Sequence, residues 1–168
     1  MHEEQLSADA VLVCAGCLSK EVSRKGDVQM KVEKIDHIAI NVRNLAKAEK
    51  FFGDLLGTEF SSSAVFKELD LRSSVDSLGI ELVEPLTSDG PTARAIEHRG
   101  EGVSLLSFKV SSVKEAMAEM KSRGIRLVGM IDRPKMKAAI FHPKDTYGIM
   151  IEFIEYKSEH PTVAVREE

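Results

Sequence analysis

One stretch of this chain is written twice. A shift of 68 positions lays Lys34-Ile35-Asp36-His37-Ile38-Ala39-Ile40-Asn41-Val42 on Gly102-Val103-Ser104-Leu105-Leu106-Ser107-Phe108-Lys109-Val110. The next residues keep step, with Asn44-Leu45-Ala46-Lys47-Ala48 over Ser112-Val113-Lys114-Glu115-Ala116. Each half then closes on a similar strand, Glu81-Leu82-Val83-Glu84 in the first and Glu152-Phe153-Ile154-Glu155 in the second. A duplicated unit predicts a pseudo-two-fold fold whose site is assembled from equivalent positions. His37 breaks that equivalence, because its counterpart is Leu105.

Within each unit the periodicity names the elements. Ile38, Ile40 and Val42 alternate with His37, Ala39 and Asn41, which predicts a strand whose two faces differ. Asn44 caps a helix reaching about Leu56, with Leu45, Ala48, Phe52 and Leu55 on one side, and Gly57 stops it. Strands are expected near Glu59–Phe60, Phe66–Arg72 and Gly79–Glu84. In the second unit Ser112-Val113-Lys114-Glu115 is a capping box opening a helix to about residue 123, with Val113, Ala116, Met117 and Met120 on its apolar stripe. Gly124 ends it, and strands follow near Ile125–Val128, Ala138–Phe141 and Gly148–Glu155. A short helix, Pro91–His98, joins the units, Pro91 suiting its first turn. The expected fold is α+β, two βαβββ modules at about 33–88 and 102–156. Residues 1–32 read as an N-terminal extension whose segment 23–27 is linker-like, and 157–168 as a charged tail.

Composition narrows the class. The chain has 168 residues, 43% of them hydrophobic, which is enough for one domain core without staples. No apolar run reaches membrane-span length, and a net charge of −4 with scattered lysines argues against nucleic acid as a partner. Cys14 and Cys17 supply half of a tetrahedral zinc set at most, so they read as reduced thiols. The acidic start and the short apolar run 10–15 lack the form of a secretory signal, so a cytoplasmic protein is expected.

If the two half-sheets curl toward each other, His37, Glu81, Leu105 and Glu152 converge at the bottom of a cup. One histidine with two carboxylates suits a divalent ion of intermediate hardness, which polarises a carbonyl and stabilises an enolate. The plainer alternative is a hydrogen-bonded core histidine with glutamates flanking a sheet edge. The duplicated acids weigh against it, because an acid at an apolar strand position is costly unless paired or metal-bound. His98 and His142 also offer imidazoles. The first reads as a solvated helix residue and the second as a turn former beside Pro143.

Four segments carry a resemblance to a known family: Ile35-Asp36-His37-Ile38-Ala39-Ile40, Ile80-Glu81-Leu82-Val83-Glu84-Pro85, Ile96-Glu97-His98-Arg99-Gly100-Glu101-Gly102, and Phe141-His142-Pro143-Lys144-Asp145 running on to Ile151-Glu152. Over residues 33–156 the chain resembles the vicinal oxygen chelate superfamily of glyoxalase I, bleomycin-resistance proteins and extradiol dioxygenases. Within it, the likeness points to methylmalonyl-CoA epimerases. The resemblance implies a cup of paired modules around one metal ion (cobalt, manganese, nickel or zinc), in a homodimer. Its ligands fall on His37, Glu81 and Glu152, while the fourth position is Leu105, which offers no donor. Its acid–base roles fall on Glu152 and, nearest in sequence, Glu68. Asn41, Leu105 and Ser107 are the expected substrate contacts, with Lys144, Arg133, Lys135 and Lys137 near CoA phosphates. The loop 132–137 is shorter than the family's and lacks its glycines.

Two functional readings follow. The first is an isomerase- or lyase-type enzyme acting by metal-assisted enolisation of an acyl-CoA or dicarbonyl. The second is a metal-free protein that sequesters a small apolar ligand in the same cup, with Leu105 as lining. A glyoxalase I or oxygenase activity meets the same missing histidine with less support.

Overall fold

The computed structural model describes residues 30–157. Cys14, Cys17, the linker at 23–27 and the tail from 158 onward lie outside the described residues. The first unit comprises β1 (Val32–Asn41), α1 (Leu45–Leu56), β2 (Ala64–Phe66), β3 (Leu71–Val75) and β4 (Ile80–Pro85). After α2 (Pro91–Arg99), the second unit comprises β5 (Gly102–Val110), α3 (Val113–Ser122), β6 (Leu127–Arg133), β7 (Met136–Phe141) and β8 (Met150–Tyr156). The strands form one sheet in the order β2-β3-β4-β1-β5-β8-β7-β6, curled into a half-barrel. That order is a palindrome of the repeat, with β1 and β5 antiparallel at the centre and β4 and β8 parallel outside them.

The repeat extends to hydrogen-bond register. Ala39 lies across from Glu81 on β4, and its counterpart Ser107 lies across from Glu152 on β8. At the seam His37 faces Ser107 and Ala39 faces Leu105, as a two-fold axis between β1 and β5 requires. The duplicated glutamates therefore approach the central pair from its two sides.

The helix signals operate as their chemistry dictates. Asn44 Oδ1 accepts from the Lys47 amide at 2.9 Å, and Ser112 Oγ accepts from that of Glu115 at 3.2 Å, each meeting a donor that the first turn leaves open. Gly57 ends α1 in the left-handed region at φ 67°. On α3, Val113, Ala116 and Met120 bury against Phe141 and Phe153, with Met117 partly buried beside them. On α1, Leu45, Ala48 and Phe52 pack over Leu82, but Leu55 is 64% exposed and does not belong to the packed side.

Three local expectations need correction. Residues 59–60 are in no strand. The single strand expected over 66–72 is broken by a 3₁₀ turn, Lys67–Leu69, which Asp70 closes at φ 54°. That break puts Glu68 and Leu69 on a turn rather than in a ladder. The loop expected at 132–137 is a tight hairpin, with β6 and β7 still paired at Arg133 and Met136.

One turn places the fold directly against the site. Asp76 Oδ1 accepts from the Leu78 and Ile80 amides at 2.9 and 2.8 Å, folding the β3–β4 connection into an Asx turn. Gly79 leaves it at φ 86°, and its carbonyl accepts from the Ile38 amide at 2.8 Å. A Cβ here would stand 2.8 Å from the Asp36 carbonyl and 3.6 Å from the His37 Cα. Gly79→Ala thus combines an unfavourable φ with backbone overlap, and we expect it to lower stability by more than about 1 kcal/mol in chemical denaturation.

Candidate functional site

The inner face of the half-barrel encloses a cavity of about 400 Å3. Its walls are mostly apolar, with Phe66, Leu69 and Leu71 from one side and Ile131, Ile140 and Met150 from the other. The floor is the β1–β5 seam. Leu105 is 7% exposed there, packed with Ala39, Val83 and Ile140.

The structure brings together the three donors singled out in the sequence. His37 Nε2 stands 3.3 Å from Glu81 Oε2 and 3.4 Å from Glu152 Oε2. Glu81 and Glu152 line the cavity, while the His37 side chain is almost wholly buried between them. Behind the ring, Asp36 Oδ2 lies 3.0 Å from Nδ1. Ser107, fully buried, donates to Glu152 Oε2 at 2.6 Å; it supports a carboxylate and does not line the cavity. Asn41 does line it, and its Oδ1 accepts from Ser104 Oγ at 2.9 Å, which leaves the Asn41 amide donors for other partners.

Burial and charge act on this cluster in opposite senses. Burial alone would lower His37, but the Asp36 and Glu81 carboxylates bonded to it, with the Glu152 charge, hold it well above the usual imidazole range. Burial alone would raise Asp36 and Glu81, yet the imidazole beside them holds both below the carboxylate range. Glu152 goes the other way. Burial pushes it up, and neither the His37 charge nor the Ser107 hydroxyl fully reverses this. Two carboxylates on one imidazole are thus driven apart, the arrangement that separates proton-holding from anionic roles.

Two expected residues lie elsewhere. Glu68 sits on the 3₁₀ turn with its carboxylate 3.4 Å from Arg133 Nη2, and it is not part of the cavity lining. Lys144 is exposed, next to the lining residues His142 and Pro143. His98 is exposed on α2, as its helix position suggests.

Sequence reasoning passes over Arg99 and Asp36, and takes His142 only as a turn former, a role it does fill at 143–145. Arg99 lines the cavity and donates through Nη1 to the Gly148 carbonyl at 3.1 Å. His142 also lines it; its Nδ1 accepts from the Lys144 amide at 3.1 Å, so its Nε2 is the ring's donor nitrogen. Arg99 lay within a segment noted for other reasons, and only the placement of α2 along the cavity mouth reveals it. Asp36 was overlooked because strict alternation would turn it away from its neighbour His37.

The sheet and its floor define a class: a half-barrel of duplicated βαβββ modules whose concave face gathers one histidine and two glutamates. The chain belongs to the Glyoxalase/Bleomycin resistance protein/Dioxygenase superfamily, whose model matches residues 34–153. It is 26% identical over 134 residues to the protein YqjC of Bacillus subtilis, covering 76% of this chain and 96% of that one. It is 30% identical over 131 residues to the mitochondrial methylmalonyl-CoA epimerase of Mus musculus, covering 73% and 72% of the two chains. Among solved structures, methylmalonyl-CoA epimerase from Mycobacterium tuberculosis superposes with a TM-score of 0.68 at 26% identity, over 76% of this chain and 91% of that one.

The cavity rim depends on a clamp. Arg126 Nε and Nη2 bind the Asp145 carboxylate at 2.8 and 2.9 Å, and the Arg126 carbonyl accepts from the His142 amide at 2.8 Å. The guanidinium and the Arg126 amide hold the Asp145 carboxyl down at about 2, below its ordinary 3.8. A depressed carboxyl contributes stability above its unfolded value and loses it as pH falls toward about 2. NMR titration should place the Asp145 midpoint near that lower value, and Arg126→Ala should return it toward 3.8.

Proposed function

We propose that this protein catalyses metal-assisted enolisation of an acyl-CoA or related dicarbonyl substrate, in the manner of the epimerases it resembles. The observation that carries this reading is that His37 Nε2 meets Glu81 and Glu152, two carboxylates that line a mostly apolar cavity. One imidazole and two carboxylates are donor types that suit a divalent ion. Donors at about 2.1 Å from one ion stand about 3.0–3.4 Å apart in octahedral to tetrahedral arrangements, and both nitrogen–oxygen separations fall in that span. The Nδ1 contact to Asp36 is the outer hydrogen bond that metal-ligating histidines usually make. Among the described residues no three His, Cys, Asp or Glu side chains are arranged as a ready-made metal site, and Leu105 supplies no fourth donor. Water would complete the shell.

When bound, a divalent ion supplies a Lewis acid that polarises the substrate carbonyl. The chain's own residues do the rest. Glu152 accepts the proton of the carbon between the carbonyls, and the C–H electron pair passes into the carbonyl to give the enolate. Returning a proton to the carbon completes the cycle, with inversion when it arrives on the opposite face. Ser107 holds Glu152 in place, Asp36 holds His37, and the apolar walls limit water around the enolate. Lys144, exposed beside the lining residues His142 and Pro143, would meet a CoA phosphate on this reading. The reading includes a homodimer, for which the more than half-exposed Ile35, Phe51, Leu55 and Val103 offer apolar surface to cover.

A second reading, sequestration of an apolar ligand without metal, is favoured by one observation: Leu105 is integrated into the apolar cluster of the floor. One set of measurements separates the two. Methylmalonyl-CoA incubated in D2O with the manganese- or cobalt-supplemented protein should gain deuterium at its acidic carbon, and Glu152→Gln should slow this by about 10²–10⁴-fold. In metal titrations Leu105→His should bind more tightly than the native chain, and His37→Ala more weakly. No exchange and no metal uptake, with stabilisation by small apolar ligands instead, would establish sequestration.

A further inference from the structure

Consecutive residues of a strand point to opposite faces, yet Asp36 and His37 bond to each other through their side chains. The cause lies in the seam. Ile35 pairs with Phe108 and His37 with Ser107, so β1 advances two residues while β5 advances one. Asp36 is the extra residue of a β-bulge, a device that re-aims side chains. Its carboxylate is 1% exposed, turned under the imidazole with Oδ2 on Nδ1.

The second oxygen of that carboxylate is held from the far side of β5. Tyr156, the last residue of β8, donates its hydroxyl to Asp36 Oδ1. Its ring is buried among Phe66, Ile131, Met136 and Ile154, so the hydroxyl has a rigid base. Lys109 Nζ lies 4.6 Å from the ring centroid, itself 3.4 Å from Glu33. Lys34 Nζ, 3.8 Å from the same carboxylate oxygen, is about half exposed and is the looser partner. Tyr156 itself is absent from the cavity lining.

We propose that Tyr156 is a positioning residue for the site, acting through the bulged Asp36 to lock the His37 ring with Nδ1–H pointing away from the cavity and Nε2 toward Glu81 and Glu152. A carboxylate with one oxygen on Nδ1 and the other on a fixed phenol cannot rotate without breaking both bonds. Removing the phenol oxygen frees that rotation. The Nδ1 proton then exchanges with solvent, and the direction of Nε2 is no longer defined.

The test uses the full-length chain and Tyr156→Phe, which keeps the buried ring, with Tyr147→Phe at the fully exposed tyrosine as control. In the metal-free protein, the His37 Nδ1 proton should appear by NMR as a downfield, slowly exchanging resonance, and Tyr156→Phe should speed its exchange at least tenfold. Tyr147→Phe should leave it unchanged. A cobalt titration, which rests on the metal reading above, should show several-fold weaker binding for Tyr156→Phe than for the native chain. An Nδ1 proton that exchanges equally slowly in native and Tyr156→Phe proteins overturns the proposal, whatever the titration shows. If no form binds cobalt, the metal reading fails, and the exchange measurement still decides the role of Tyr156.

Discussion

The antiparallel seam between β1 and β5 is the constraint on which the rest of this structure depends. It joins two modules into one curled sheet and sets a pseudo-two-fold axis through the Ile38–Leu106 pair. Because β4 and β8 then lie parallel on its two sides, Glu81 and Glu152 arrive at the same floor from different modules. Neither carboxylate has a reason to be there without the other half. A single module would leave one acid on an open, half-apolar sheet, where burial is not repaid.

Symmetry brings the acids together, and its violation makes the site. With histidine at both His37 and Leu105 positions, the floor would carry two imidazoles between two carboxylates. With one replaced by leucine, His37 alone faces both acids, and the other half of the floor is apolar. The result is a cavity with one polar end. In the structure that end is satisfied by an imidazolium between two carboxylates, and under the proposed metal reading an ion would take the proton's place. The same asymmetry explains the differing fates of the acids: Glu81 is held down by its bond to His37, whereas the more deeply buried Glu152 is pushed up despite Ser107.

The rim is built from other physics. It comes from α2, from the hairpin of β6 and β7, and from the turn at 143–145 clamped by Arg126 and Asp145. Of these, α2 and the 143–145 turn are short and, Ile96 aside, at least partly exposed, so substitutions there can alter which ligand enters with little effect on the buried floor.

Several features were legible in the sequence because they rest on local chemistry. Period-two alternation in Ile38, Ile40 and Val42 marks a strand, Asn44 and Ser112 mark helix starts, and Gly57 marks a stop. The repeat adds the equivalence of His37 with Leu105 and of Glu81 with Glu152, which is enough to propose that they share one place. What the tertiary structure decided concerns departures from local rule. The 3₁₀ turn at 67–69 takes Glu68 out of the ladder and onto Arg133, and the bulge at Asp36 turns two neighbours to the same side. Leu55 is left in solvent although its helical spacing matches the packed face. Arg99, His142 and Tyr156 reach the site or its support from elements distant in sequence. Periodicity reports which face of an element is apolar. It carries no information about where a strand slips by one residue or what crosses the sheet to meet it, because those depend on packing against segments far along the chain.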